Sequence, residues 1–336
     1  MPAHPGGWAA FLWAGIIVVI GIDLGGQSVR LAVVDESGAI RFRRHAPVDA
    51  SRPANDLAAL VTGEIEALGR EAQAAGCEPR AVGMVMPGYM DAGRSRLIFA
   101  ANLPTLGGTD FLERIANSVD LPVIFDADCN AAAMGEYRFG AGRGVERLIV
   151  ATVGTGIGSG VLIGGQVVRI WNHIAGSLGH VIVDARGPVC ACGARGCVEA
   201  RASGRALERL AAELADAEPK SRLAALRVER GRLTGVEIGQ ALTEGDAVAG
   251  RAVRECGWWL GVGIAAWSVI YAPQKVLVGG GIVGLGPAYL AAVREGLHEV
   301  GQPHLTRDII VDAAALGPDA GLIGAAAMVM NCVPGA

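Results

Sequence analysis

A chain of 336 residues, 51% hydrophobic and only 18% charged, has enough apolar material for two cores, which excludes a disordered protein. A formal net charge of −4 offers no basic face of the kind nucleic-acid binding requires. The 50 glycines cluster in short loops after apolar runs, which suits close approach of backbone to a ligand rather than a collagen or a flexible linker.

The first apolar run, Trp8 to Ile22, has no Lys or Arg before it and ends in Asp23 and two glycines. It therefore lacks the positive region of a signal peptide, and it is short for a membrane span. It is predicted to be a buried strand from about Gly15, preceded by an extension over 1–14. The expected compartment is the cytoplasm, where thiols stay reduced. Two more strands follow, "SVRLAVVDESG" and "AIRFRRHAP". A helix is predicted around 54–76, with Leu57, Leu60, Val61, Ile65 and Leu68 on one stripe. "AVGMVMPGY" is another buried strand, and "LPVIFDADCNAAAMGEYRFG" runs from strand into helix.

The opening pattern then recurs. "RLIVATVGTGIGSGVLIGGQVVRI" is again strand, glycine turn, strand, hairpin and strand, which predicts two related lobes with mixed sheets. Helices are expected near 203–216, 236–243 and 247–270, the last carrying Trp258, Trp259 and Trp267. A strand in "KVLVGGGIVG" and a closing helix over 319–331, packed back on the first lobe, complete the chain.

Three glycine turns follow strands: Asp23-Leu24-Gly25-Gly26, Gly154 to Gly160, and Gly279-Gly280-Gly281. Backbone N–H groups in such turns can cradle phosphate oxygens, although a tight hairpin also explains each one singly. None is a G-x-x-x-x-G-K-[ST] loop, and "GTGIGSG" runs strand to strand, which argues against a dinucleotide fold. Asp128 stands where a strand meets a helix. It reads either as a helix cap, with Asn130 as the other candidate, or as a general base at a strand end. Cys190, Cys192 and Cys197 fall within one short stretch, and the other four cysteines are scattered. Three thiols cannot pair off evenly as disulfides, and a zinc site needs a fourth ligand that the stretch itself does not supply.

Taken in order, "GIDLGGQSVRLAVVD", "FDADCNAAAMGE", "TVGTGIGSGVLIGGQVVR", "GSLGHVIVD…CACGARGCVEARASG", "VLVGGG" and "DAGLIGAAA" resemble the ROK (repressor, ORF, kinase) family over nearly the whole chain. That family includes glucokinases, fructokinases and N-acetylmannosamine kinases. The resemblance implies an α/β, actin-like and Hsp70-like two-lobed fold, a ribonuclease-H-like duplication with a cleft between the lobes. Residues 15–125 with 319–336 would form the small lobe and 126–318 the large one. It also implies ATP with Mg²⁺ as substrate, a small sugar or cyclitol acceptor, and a homodimer or higher oligomer. Asp128 would be the base, and Asn102, Asp128, Ser177, His180 and Glu199 would line the sugar. Asp23 would lie near Mg²⁺. Gly25, Gly26, Gln27 and Ser28 in the first turn, Thr155 and Gly156 in the second, and Gly279 and Gly280 would contact nucleotide. A structural zinc would be held by His180, Cys190, Cys192 and Cys197, fixing the loop that presents Glu199 and His180.

The chain departs from the pattern at three places. Ala127 precedes Asp128 where glucose-binding members have Asn. Ser177 stands where they have Glu before Gly-His. Gln27-Ser28 replaces the usual Thr. Each lost polar partner is worth about 1–3 kcal/mol when left unpaired, so a modified hexose, an amino sugar or a seven-carbon cyclitol is expected rather than plain glucose. Glucokinase proper, a ROK-type regulator and a non-catalytic sugar-binding protein are the alternatives. Only about 20 residues precede Asp23, and they carry no basic amphipathic helix of the kind a DNA-binding head needs.

Overall fold

The computed structural model describes residues 18–100, 102–169 and 177–332. The expected extension 1–14, and the start of the first strand before Val18, lie outside these residues. The chain divides into two compact units. One is made of residues 1–144, 165–175 and 316–336; the other of 145–164 and 176–315.

In the first unit, strands β1 (Val18–Leu24), β2 (Ser28–Asp35) and β3 (Ile40–Pro47) are followed by helix α1 (Ala54–Ala74) and strand β4 (Ala81–Met86). A short hairpin, β5 (Tyr89–Met90) and β6 (Leu97–Phe99), comes next, then α2 (Phe111–Ser118), β7 (Val123–Ala127) and α3 (Asp128–Phe139). The sheet order is β3-β2-β1-β4-β7. Its first three strands are antiparallel, and β4 and β7 add in parallel. The expected helix at 54–76 forms because Leu57, Val61, Ile65, Leu68 and Ala72 bury one stripe against the sheet.

The second unit has β8 (Arg147–Val153) and β9 (Ile157–Ile163); the two-residue β10 (Gln166–Val167) follows along the chain. Then come α4 (Val198–Ala202), α5 (Gly204–Ala217), α6 (Arg222–Arg230), α7 (Gly235–Thr243) and α8 (Ala247–Tyr271). Strand β11 (Lys275–Gly279), α9 (Pro287–Val300), α10 (Pro303–Thr306) and β12 (Ile310–Ala313) precede the closing helix α11 (Ala320–Met330). The order β9-β8-β11-β12 reproduces β2-β1-β4-β7, with one antiparallel pairing and two parallel ones in each. The expected duplication into mixed sheets is present. Trp267 is fully buried in this unit, and its Nε1 donates to Leu178 O at 3.2 Å.

The lobe boundary expected at residue 126 falls later, after Gly144. The reason is pairing: β7 joins the first sheet with Met86 opposite Ala127, so α3 emerges from that sheet. The closing helix does return to the first unit, as expected. Two glycines that face each other across β1 and β4, Gly21 and Gly83, let its backbone touch the sheet. A Cβ on Gly21 would collide with Leu322 O, and one on Gly83 with Ala325 O. Gly324 in turn lies against the backbone of Ala131 in α3. Gly83→Ala should therefore lower stability by about 1–3 kcal/mol, the usual cost of overpacking. Denaturant titration would show this as a lower midpoint, and an unchanged midpoint would mean that α11 is not seated there.

Candidate functional site

The expected site residues fall in both units. In the first, β1 ends at Asp23-Leu24 and turns through Gly25 to Ser28 into β2. Gly25 N donates to Ser28 O at 2.8 Å, which closes the turn, and Gln27 is exposed at its tip. Gly26 lies against Asn102: a Cβ there would stand 2.6 Å from Asn102 O. The fold thus brings a candidate phosphate contact beside a candidate sugar ligand, far apart in sequence. Asp23 is held by Arg30, whose other terminal nitrogen donates to Pro318 O at 2.9 Å. Gly321, at the start of α11, packs on the same carboxylate with a notional Cβ 2.5 Å from Asp23 Oδ2. Arg30 had no sequence signal, because a basic residue in a strand reads as solvent-facing.

Helix α3 begins at Asp128 itself. Its N-cap position is Ala127, which makes no side-chain cap. Asn130 does not cap either; its Nδ2 donates to Asp126 Oδ1 at 2.8 Å. Asp128 is thus not the N-cap residue, although its carboxylate does accept a first-turn backbone N–H. Its carboxylate is half-buried, and Oδ1 accepts from Cys129 N at 2.7 Å. Burial and the negative charge of Asp23 push its pKa up to about 6, with the Cys129 N–H opposing. A carboxylate tuned towards neutrality beside a second carboxylate is suited to accept a proton at physiological pH.

In the second unit, the Gly154-Thr155-Gly156 turn joins β8 to β9, with Thr155 exposed. Gly154 O accepts from Gly204 N at 2.7 Å, which fixes the turn to the start of α5. Gly280 has φ +86°, the left-handed region that favours glycine, and a Cβ there would meet Val153 O at the end of β8. The second and third glycine turns are therefore packed together.

His180 closes a single 3₁₀ turn, Leu178–His180. Ser177 O accepts from His180 N at 2.9 Å, and Leu178 N donates to Ser159 Oγ at 3.0 Å. Gly179 admits the turn against β9, since a Cβ would stand 2.5 Å from Ile157 O. One ligand atom from each of His180, Cys190, Cys192 and Cys197 can be chosen so that all lie within 4.8 Å of one another. Cys190 Sγ is 3.7 Å from His180 Nδ1, and Cys192 Sγ is 3.7 Å from Cys197 Sγ. A zinc tetrahedron with Zn–S of about 2.3 Å has edges of about 3.8 Å, so the spacing fits the ion, whereas a disulfide needs about 2 Å. Gly193 and Gly196 curl the loop at φ +90° and +76°. Desolvation pushes the Cys190 thiol up to about 12, a penalty that a bound divalent cation would reverse. Glu199 joins this cluster to the second turn: Oε1 is 3.4 Å from Cys190 Sγ, and Oε2 accepts from Ile157 N at 2.8 Å.

The sequence pattern described as the ROK family matches residues 19–331. A glucokinase from Streptomyces coelicolor is 36% identical over 317 residues, covering 92% of this chain and 96% of the relative. An N-acetylmannosamine kinase from Citrobacter koseri is 32% identical over 310 residues, covering 91% and 97%. Among solved structures, a ROK family glucokinase from Streptomyces griseus in complex with glucose and AMPPNP superposes with a TM-score of 0.77. It shares 34% identity over 93% of this chain and 98% of that one.

Proposed function

This chain belongs to the ROK family, and we propose on that footing that it is an ATP-dependent sugar kinase. It would transfer the γ-phosphoryl group to a primary hydroxyl of a hexose-like acceptor, a modified hexose rather than glucose. The observation that carries this reading is Asp128: a half-buried carboxylate at the start of α3, with its pKa lifted to about 6 by burial and by the charge of Asp23. Phosphoryl transfer asks a protein for positioning and charge stabilisation more than for covalent chemistry. Asp128 takes the proton of the acceptor hydroxyl as its oxygen attacks. Asp23 supplies the carboxylate nearest the metal of Mg-ATP. Gly25 N–H is already committed to Ser28 O, so Gly26 is the better phosphate donor in the first turn. Thr155 and Gly156 serve in the second turn, and Gly279 and Gly280 face the nucleotide.

Zinc at His180, Cys190, Cys192 and Cys197 completes the reading. Four protein ligands leave it no open position, so its contribution is to hold the loop bearing Glu199. Ala127 and Ser177 stand at the positions where the glucose-binding pattern is polar, which supports an acceptor other than glucose. Purified protein assayed for ADP release with Mg-ATP and a panel of hexoses, N-acetylhexosamines and cyclitols tests the proposal. Turnover of a modified hexose above glucose is expected. Sugar binding without turnover of any acceptor would instead favour a regulator or binding protein.

A further inference from the structure

Asp126, two residues before Asp128, is almost fully enclosed, with its side chain 3% exposed. It accepts from Arg94 Nη1 at 3.1 Å, from Arg169 Nη2, from Asn130 Nδ2 at 2.8 Å and from its neighbour Ala127 N at 2.8 Å. One carboxylate therefore faces two guanidinium groups. Neither arginine has a second carboxylate at ion-pair distance among the described residues. Among the described residues the cluster therefore sets two guanidinium groups against one carboxylate.

The two arginines are held in place but not used up. Their side chains are 24% and 25% exposed, so neither is fully enclosed. Arg169 Nη1 reaches Val167 O at only 3.5 Å, and Arg169 Nε is buried without an acceptor among the described residues. Arg94 has φ +54°, a left-handed conformation that a side chain like this adopts only when its surroundings impose it. They do: Asp91 Oδ1 accepts from Ser95 N at 2.7 Å and Arg96 N at 2.9 Å, and Asp91 O accepts from Arg94 N at 2.9 Å. This turn aims Arg94 at Asp126.

The cluster lies in register with the proposed reaction centre. Asp23 is opposite Val85, and Val85 is opposite Asp126, so both aspartates stand in one row on one face of the sheet. Two strand spacings put them about 10 Å apart at Cα, the scale of a sugar ring with one substituent. A partly buried pair of arginines sharing one carboxylate is costly to desolvate, and a guanidinium matches a carboxylate or phosphate in a bidentate fork.

We propose that Arg94 and Arg169 form an anion-binding subsite beside Asp128, and that the acceptor is a sugar carrying a negatively charged group. This rests on the kinase reading and narrows it: among modified hexoses it disfavours those with a free ammonium group.

Neutral acceptors paired with anionic relatives test the proposal on the full chain. Glucose is compared with glucose 1-phosphate, and sorbitol with gluconate. Each is titrated calorimetrically and then assayed with Mg-ATP. The anionic member of at least one pair should bind tenfold or more tightly, with a KM that rises with ionic strength. The phosphate and carboxylate arms identify which anion is preferred. Arg94→Gln and Arg169→Gln should each abolish the difference within that pair, and Arg169→Lys should keep part of it. Equal or tighter binding of the neutral member in every pair overturns the proposal, whatever the variants do, so a variant that fails to fold does not protect it. Turnover of neutral sugars without anion preference sinks the subsite and leaves the kinase standing. Anion-selective binding without turnover does the reverse.

Discussion

Asp128→Asn is expected to lower turnover by about 10²–10⁴, the usual contribution of a positioned base, while acceptor affinity changes little. The substitution keeps the shape of the side chain and an oxygen for the Cys129 N–H, and removes only the capacity to take a proton. In the wild-type protein, activity should rise with pH through about 6, as the carboxyl loses its proton, and that limb should vanish in the variant. Stability gives an independent readout. An acid whose folded pKa is raised from 3.8 to about 6 binds more protons folded than unfolded in that window. The folded state therefore loses stability as pH rises from about 4 to 6, and the penalty is complete above it. Relative to wild type, Asp128→Asn should be more stable at pH 7.5 than at pH 4.5 by thermal melting. Near-normal turnover in a folded variant would remove Asp128 from the mechanism.

The second large effect concerns the cysteine loop. Gently purified protein should carry one zinc per chain, and Cys192→Ser should reduce that to near zero. Structural zinc contributes about 10–16 kcal/mol of apparent binding energy in small zinc-folded peptides, energy that is coupled to folding. Loss of one thiolate should therefore loosen the whole loop from His180 to Glu199. Because Glu199 also holds Ile157 N at the second glycine turn, turnover should fall together with the metal. Metal analysis gives the first readout, and hydrogen exchange over 177–199 the second. Protein that contains no stoichiometric zinc and keeps a protected loop would contradict this reading.

Much of this was legible from the order of residues. The repeated strand–glycine–strand unit and its mixed sheets follow from local patterns. The three cysteines stand out locally as a C-x-C step with flanking glycines, whereas His180, ten residues upstream, was named only through the family resemblance. The hairpin β5–β6 and the helices α2, α6 and α9 were not foreseen; they connect or cover elements whose patterns dominate the reading.

What the sequence alone determined is where the backbone must turn and which side chains can bind metal or carry charge. These are set within a few residues by steric limits on φ, by periodicity and by ligand chemistry. Tertiary structure decided how those groups are tuned. Asp128 is raised because the fold sets Asp23 beside it. Gly21 and Gly83 matter because α11 lands on them. Asp126 meets Arg94 and Arg169 from 32 and 43 residues away. Electrostatic and packing energies depend on distance in space, and strand pairing brings such groups together without leaving a pattern in the sequence between them.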